Sequence, residues 1–189
     1  MPNAKNKLLI LLTLALVMAA TRFPALRNDL HLRDASWAVF FVAGFYLADS
    51  GRWAFTALLA CAVGIDYIAI RYYGISNYCV TVAYWFLVPS YGALWLGGRW
   101  LRRHASMDGA GLLALAASAL TATSVCFLLS NGSFYWLGGR VTPTWQGWMV
   151  NLTQWYWPFV STALAYIAVA ALGHILVSKL VVGRASAFS

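Results

Sequence analysis

The chain contains no glutamate, and five aspartates are its only acids among 189 residues. Charged residues make up 10% of it, against roughly a quarter in a soluble domain that must cover its surface with them. That shortage excludes an ordinary water-soluble globule. It also leaves general acid–base chemistry few candidates. Histidine is scarce as well, with three in all; His31 sits in a polar stretch and His174 deep in an apolar one, at no ligand spacing, which argues against a histidine-built metal site. Also missing are a Cys-x-x-Cys pair, a Ser/His/Asp set and a glycine-rich phosphate loop, so these residues cannot hydrolyse ATP by themselves. The three cysteines, Cys61, Cys79 and Cys126, cannot all pair within one chain. At least one thiol is therefore free.

What the sequence does have is apolar length. Hydrophobic residues account for 62% of it, more than any water-facing fold could hide, whereas lipid removes the penalty. A helix crosses a hydrocarbon core of roughly 30 Å with about 20 residues, and six segments reach or approach that length: 8–21 (with room to continue to Leu26), 36–48, 53–70, 78–97, 111–130 and 157–182. The expected fold is an all-α integral membrane protein, a single bundle of about six transmembrane helices over residues 1–189. Five spans and one half-buried segment is the competing count, because the first two segments are short and need tilt or local thinning. The first also looks like a secretory signal, with Lys5 and Lys7 before an apolar stretch and Ala19-Ala20 as a cleavage site. Cleavage would leave the short second span without a partner.

The net charge of +8 falls in short clusters between apolar runs. That is the pattern of topology signals and not of a phosphate-binding face, so no nucleic-acid partner is expected. With the N-terminus inside, eight basic residues (Lys5, Lys7, Arg52, Arg99, Arg102, Arg103, Lys179, Arg184) lie on the cytoplasmic side and five (Arg22, Arg27, Arg33, Arg71, Arg140) outside, which favours N-in and C-in. Three loops then lie outside, 22–35, 71–78 and 131–156, and any site must be built from these loops and the helix ends.

The last of these loops carries Phe134, Tyr135, Trp136, Trp145, Trp148, Trp155 and Tyr156, with Gln146, Asn151 and Gln154 between them. An aromatic belt at the headgroups accounts for some of these rings. Flat rings interleaved with amides also suit a large, planar, partly polar ligand, and both readings stand. Cys61 and Cys126 fall within spans, where a thiol is usually a small apolar filler. Cys79 falls at the junction of the 71–78 loop with the fourth span, after Ser76-Asn77-Tyr78, where a thiol is reachable from outside and able to bind a soft metal. Asp66 is the only acid well inside a span. Such acids default to a functional role, although a structural pair with Arg71 or a helix–helix hydrogen bond explains it equally well. Ala15 and Ala19 place small residues four apart on one face of the first helix, which lets another helix approach.

Ala15, Ala19 and the stretch 72–91 (YYGISNYCVTVAYWFLVPSY) with Cys79 resemble the BtuM family, cobalamin-specific relatives of the S-components of energy-coupling-factor (ECF) vitamin transporters. The resemblance covers the whole chain in architecture and rests in motif on that one stretch. It implies an S-component-like six-helix bundle in the bacterial inner membrane that binds and transports vitamin B12. Cys79 would be an axial ligand to the cobalt of cobalamin, and Asn77, Tyr78, Arg71, Tyr135, Trp136, Trp145, Trp148 and Asn151 would surround the ligand. Thiolate ligation would labilise an upper cyanide, so Cys79 would act in decyanation if that step occurs. Ala15 and Ala19 would dock an ECF-type coupling subunit with its ATPases. An S-component for a flavin- or thiamin-type vitamin, with Cys79 a bystander, and a small membrane thiol enzyme are the alternatives.

Overall fold

The computed structural model describes residues 3–23, 26, 32–78, 80–106 and 108–186, with side chains as far as 178. The described residues form six α-helices and no strand: α1 (Ala4–Arg22), α2 (Ser36–Tyr46), α3 (Gly51–Tyr73), α4 (Leu87–His104), α5 (Gly109–Leu137) and α6 (Trp145–Ser186). Two 3-10 turns, Ala48–Ser50 and Val82–Phe86, lead into α3 and α4. The protein is an all-α membrane bundle. Four stretches (Ala4–Arg22, Ala48–Tyr73, Gly109–Leu137 and Trp145–Ser178) are long and apolar enough to cross a membrane. Helix α4, with Arg99, Arg102 and Arg103 in its last two turns, falls short by composition, and its basic end complements the negative helix terminus.

The core forms around α2. This helix has 11 residues, about 16 Å, too short to span by itself. It is apolar on all sides, as a helix surrounded by others must be, and Val39, Phe40, Phe41 and Ala43 are all at most 2% exposed. Helix α2 crosses α4 at two glycines. A Cβ on Gly44 would overlap the Trp95 backbone, and one on Gly98 would overlap the Phe41 carbonyl, so the two backbones touch. Phe40 stacks on Tyr91 with centroids 4.2 Å apart and meets Phe55 edge-on at 5.5 Å. Met18, Leu58, Leu94 and Cys126 complete the same core from α1, α3, α4 and α5.

Boundaries differ most from the sequence reading in the fourth, fifth and sixth spans, and α4 also runs to His104, seven residues past the expected 97. The fourth span starts at Val82 and not at Tyr78, because the Thr81 hydroxyl accepts from the Ala83 N–H at 3.2 Å and caps the chain there. Pro89 then sits in the first turn of α4, where a missing N–H is tolerated. Helix α5 begins under an Asp108 cap that accepts from the Gly111 N–H at 2.9 Å; hydrogen bonds from Ser106 and Gly111 hold that carboxyl below its ordinary range. It then runs to Leu137, seven residues past the expected end at 130, and α6 starts at Trp145, twelve before 157. The long outer loop is mostly helix, with a turn over 138–144. Gly139 makes that turn possible with φ +66°.

Candidate functional site

At one end of the bundle a network of side chains from four helices converges on Arg22, the last residue of α1. Its Nε and second terminal nitrogen donate to both oxygens of Asp66 on α3, at 2.7 and 2.6 Å. Its other nitrogen donates to Asp34 (3.0 Å), Ser36 Oγ (3.2 Å) and the Tyr91 hydroxyl (3.1 Å). The Tyr84 hydroxyl donates to the same Asp66 carboxylate at 2.8 Å. Asp34 in turn accepts from the Ser36 N–H at 2.8 Å and from its hydroxyl at 2.5 Å. One guanidinium thus joins α1, α2, α3 and α4 at one level. Two carboxylates around a single arginine, with the remaining lone pairs taken by hydroxyls and an amide, satisfy a polar centre that could not otherwise sit among apolar helices. Asp66 is therefore a helix–helix contact, and its partner is Arg22, not Arg71.

Above this hub stands the α5–α6 hairpin. Trp37 at the start of α2 meets Phe159 of α6 at 5.7 Å, so residues 145–158 continue past it for about 20 Å. The hairpin holds itself together with the rings that sequence reading assigned to a loop. Trp136 faces Trp145 at 4.8 Å, and Tyr135 faces Trp148 at 5.4 Å. The Tyr135 hydroxyl donates to the Thr144 carbonyl at 3.0 Å and accepts from its N–H at 3.2 Å. Trp148 is buried against Gly132, while Trp145 is 72% exposed at the tip. Below Trp148, Asn131 Oδ1 and Asn151 Oδ1 are both buried without a hydrogen-bond partner among the described residues.

The 71–78 segment reaches this hairpin through one residue. The Tyr78 ring lies 5.6 Å from Phe134 and 4.9 Å from the Arg140 guanidinium, and Arg140 Nε donates to the Tyr78 carbonyl at 3.1 Å. Arg71 and Asn77 are exposed, and neither side chain hydrogen-bonds to the hairpin among the described residues. Cys79 and His31 lie outside the described residues; Tyr78 and Val80, on either side of Cys79, are each about half exposed, at 48% and 47%. Cys126 is fully buried, three turns below the end of α5, and Cys61 is half-buried against the core. Ala15 is half-buried and packs on the core, Ala19 is half-buried beside it, and Leu12 and Leu16 cover the exposed face of α1.

A pocket of about 450 Å³ opens between the start of α2 and the hairpin, lined by Arg33, Asp34, Trp37, Trp155, Phe159 and Thr162 among others. Its size is that of a small-molecule site, with apolar walls and a few polar groups. Of these residues the sequence reading singled out Trp155 alone. Trp37 and Phe159 look like ordinary span residues, and only the tertiary fold turns them toward Asp34. Fold and geometry define a class, an all-α membrane bundle, six helices among the described residues, with an arginine-centred polar network and an aromatic hairpin at one end. The chain matches no protein-family model and no curated protein.

Proposed function

We propose that the protein binds cobalamin at its outer end and serves its uptake across the bacterial inner membrane, as an S-component-like transporter of the BtuM type. The observation that carries this reading is the tie between two segments the sequence singled out separately. Tyr78, the residue before Cys79, is clasped by Phe134 and Arg140 of the aromatic hairpin. A headgroup belt alone gives no reason for that clasp. It supports a ligand held between the cysteine-bearing segment and a wall of rings, near the buried and unpartnered Oδ1 atoms of Asn131 and Asn151. In this reading Cys79 supplies an axial thiolate to the cobalt, a soft donor suited to a transition metal. Ala15 and Ala19 dock a coupling subunit whose ATPases drive uptake.

The test is the visible spectrum of protein purified from cells given vitamin B12. A bound corrinoid is expected, with bands that shift in Cys79→Ala. Binding with an unchanged spectrum would remove the cobalt–sulfur bond, and no corrinoid at all would remove the function. One observation favours a second reading: the 450 Å³ pocket beside Trp37 and Trp155 suits a smaller vitamin of the flavin or thiamin type. Binding from a vitamin panel that excludes cobalamin, with Trp37→Ala weakening it, would select that alternative.

A further inference from the structure

At the other end of the bundle, α4 and α5 meet where a Cβ on Gly97 would overlap the Ala122 methyl and where Ser118 Oγ donates to the Gly97 carbonyl at 2.8 Å. From that floor the helices part into an open groove of about 830 Å³. Its α4 wall is Leu96 and Trp100, 61% and 46% exposed; its α5 wall is the short, exposed side chains of Ala117 and Thr121. Long apolar side chains face short ones, leaving hydrocarbon-lined space that opens toward lipid. At its basic mouth stand Arg99 and Arg103, four residues apart on one face of α4. Both are exposed, and among the described residues neither has a carboxylate within ion-pair distance. The nearby Asp49 is taken by Arg102 at 2.8 Å.

We propose that this groove binds an anionic phospholipid, with an acyl chain between the two walls and the phosphate between Arg99 and Arg103. Guanidinium groups match a phosphate's oxygens with paired donors. Basic pockets between transmembrane helices on the cytoplasmic side attract anionic headgroups in this way. Charge complementarity also decides against a second copy of the chain. Among the described residues Asp34, Asp66 and Asp49 are each paired with an arginine of their own chain and Asp108 caps α5, so the described face of a second copy brings mainly arginines to the groove and little acid to meet them.

Full-length protein stripped of lipid in detergent, titrated with dioleoyl phosphatidylglycerol and dioleoyl phosphatidylcholine and read by native mass spectrometry, tests this. The expected preference for phosphatidylglycerol is about tenfold, falling to near parity in Arg99→Gln/Arg103→Gln. The control Lys5→Gln/Arg52→Gln removes equal charge from the same end and is expected to leave the preference within about twofold. Ala117→Phe/Thr121→Phe fills the groove while keeping the arginines and is expected to weaken retention of both lipids. Thr121→Leu replaces it if the double variant does not elute as the wild type. A preference that survives loss of Arg99 and Arg103, or falls equally in the control, overturns the site in favour of diffuse surface charge. Unchanged retention in the filled groove places the lipid elsewhere. A lipid-free dimer abolished by the same filling assigns the face to a second copy. None of these readouts depends on cobalamin.

Discussion

Arg22 is the residue on which the outer end depends. Its guanidinium is shared by Asp66 and Asp34, and its side chain is only 13% exposed. Replacing it with glutamine leaves two carboxylates, 37% and 23% exposed, without their shared counter-charge. Removal of one partner of a fully buried pair costs about 3–5 kcal/mol; with both acids partly exposed, Arg22→Gln is expected to cost about 1–3 kcal/mol and to lower the unfolding temperature in detergent by several degrees. Arg71→Gln, which touches neither acid, should stay within about 0.5 kcal/mol of wild type. Equal loss in the two variants would mean that Asp66 is held from within its own helix. The sequence made Asp66 visible, since an acid in a span calls for a partner. It could not name the partner. Five residues along a helix is about 140° around it, so Arg71 does not face Asp66, whereas Arg22 reaches it only because four helix ends come to one level. The aromatic residues of 131–156 were equally visible, but their pairing, Trp136 on Trp145 and Tyr135 on Trp148, required a hairpin that hydropathy does not report.

That limitation has a physical cause at the scale of elements. Hydropathy locates the part of a helix that lies in lipid, and a helix does not have to stop there. Beyond residue 130 the side chains turn polar and aromatic, yet α5 and α6 continue because tilted ring-on-ring contacts and the Tyr135–Thr144 hydrogen bonds hold two antiparallel helices together without a bilayer. The short second span was legible as an anomaly; its resolution is burial of α2 on all sides, with Gly44 and Gly98 at the crossing with α4. These glycines make a sharp prediction against a third. A methyl on Gly98 meets the Phe41 backbone, which cannot give way, so Gly98→Ala is expected to destabilise by about 1–3 kcal/mol or more through overpacking. Gly64, inside α3, has open space around it; Gly64→Ala should stabilise by about 0.5–1 kcal/mol through helix propensity alone. Thermal melts of the two variants in one detergent separate them. A stable Gly98→Ala protein would mean that α2 and α4 do not cross in contact.

For the molecule as a whole, the decisive quantity is its direction in the membrane, because the proposed vitamin site and the proposed lipid site lie at opposite ends. Arg22, Ser36, Asp66 and Tyr84 meet at one end. Asp49 pairs with Arg102, and Tyr46 with His174 at 2.7 Å, toward the other. The second end carries Arg99, Arg102 and Arg103, the densest basic cluster, and the positive-inside tendency places it in the cytoplasm. In a cysteine-free background (Cys61→Ala, Cys79→Ser, Cys126→Ala), single cysteines at Val141, exposed in the 138–144 turn, and at Ser106, exposed between α4 and α5, report the two ends. An impermeant maleimide applied to sealed right-side-out vesicles should label Val141→Cys at once and Ser106→Cys only after permeabilisation. The opposite order would put the aromatic hairpin in the cytoplasm, and capture of an external vitamin by Tyr78, Phe134 and Arg140 would then fail, whatever the protein binds after purification. The Arg99–Arg103 groove would fall in the outer leaflet, and its lipid preference in detergent would stand unchanged. The labelling order therefore separates what the bundle can bind from the side on which it meets it.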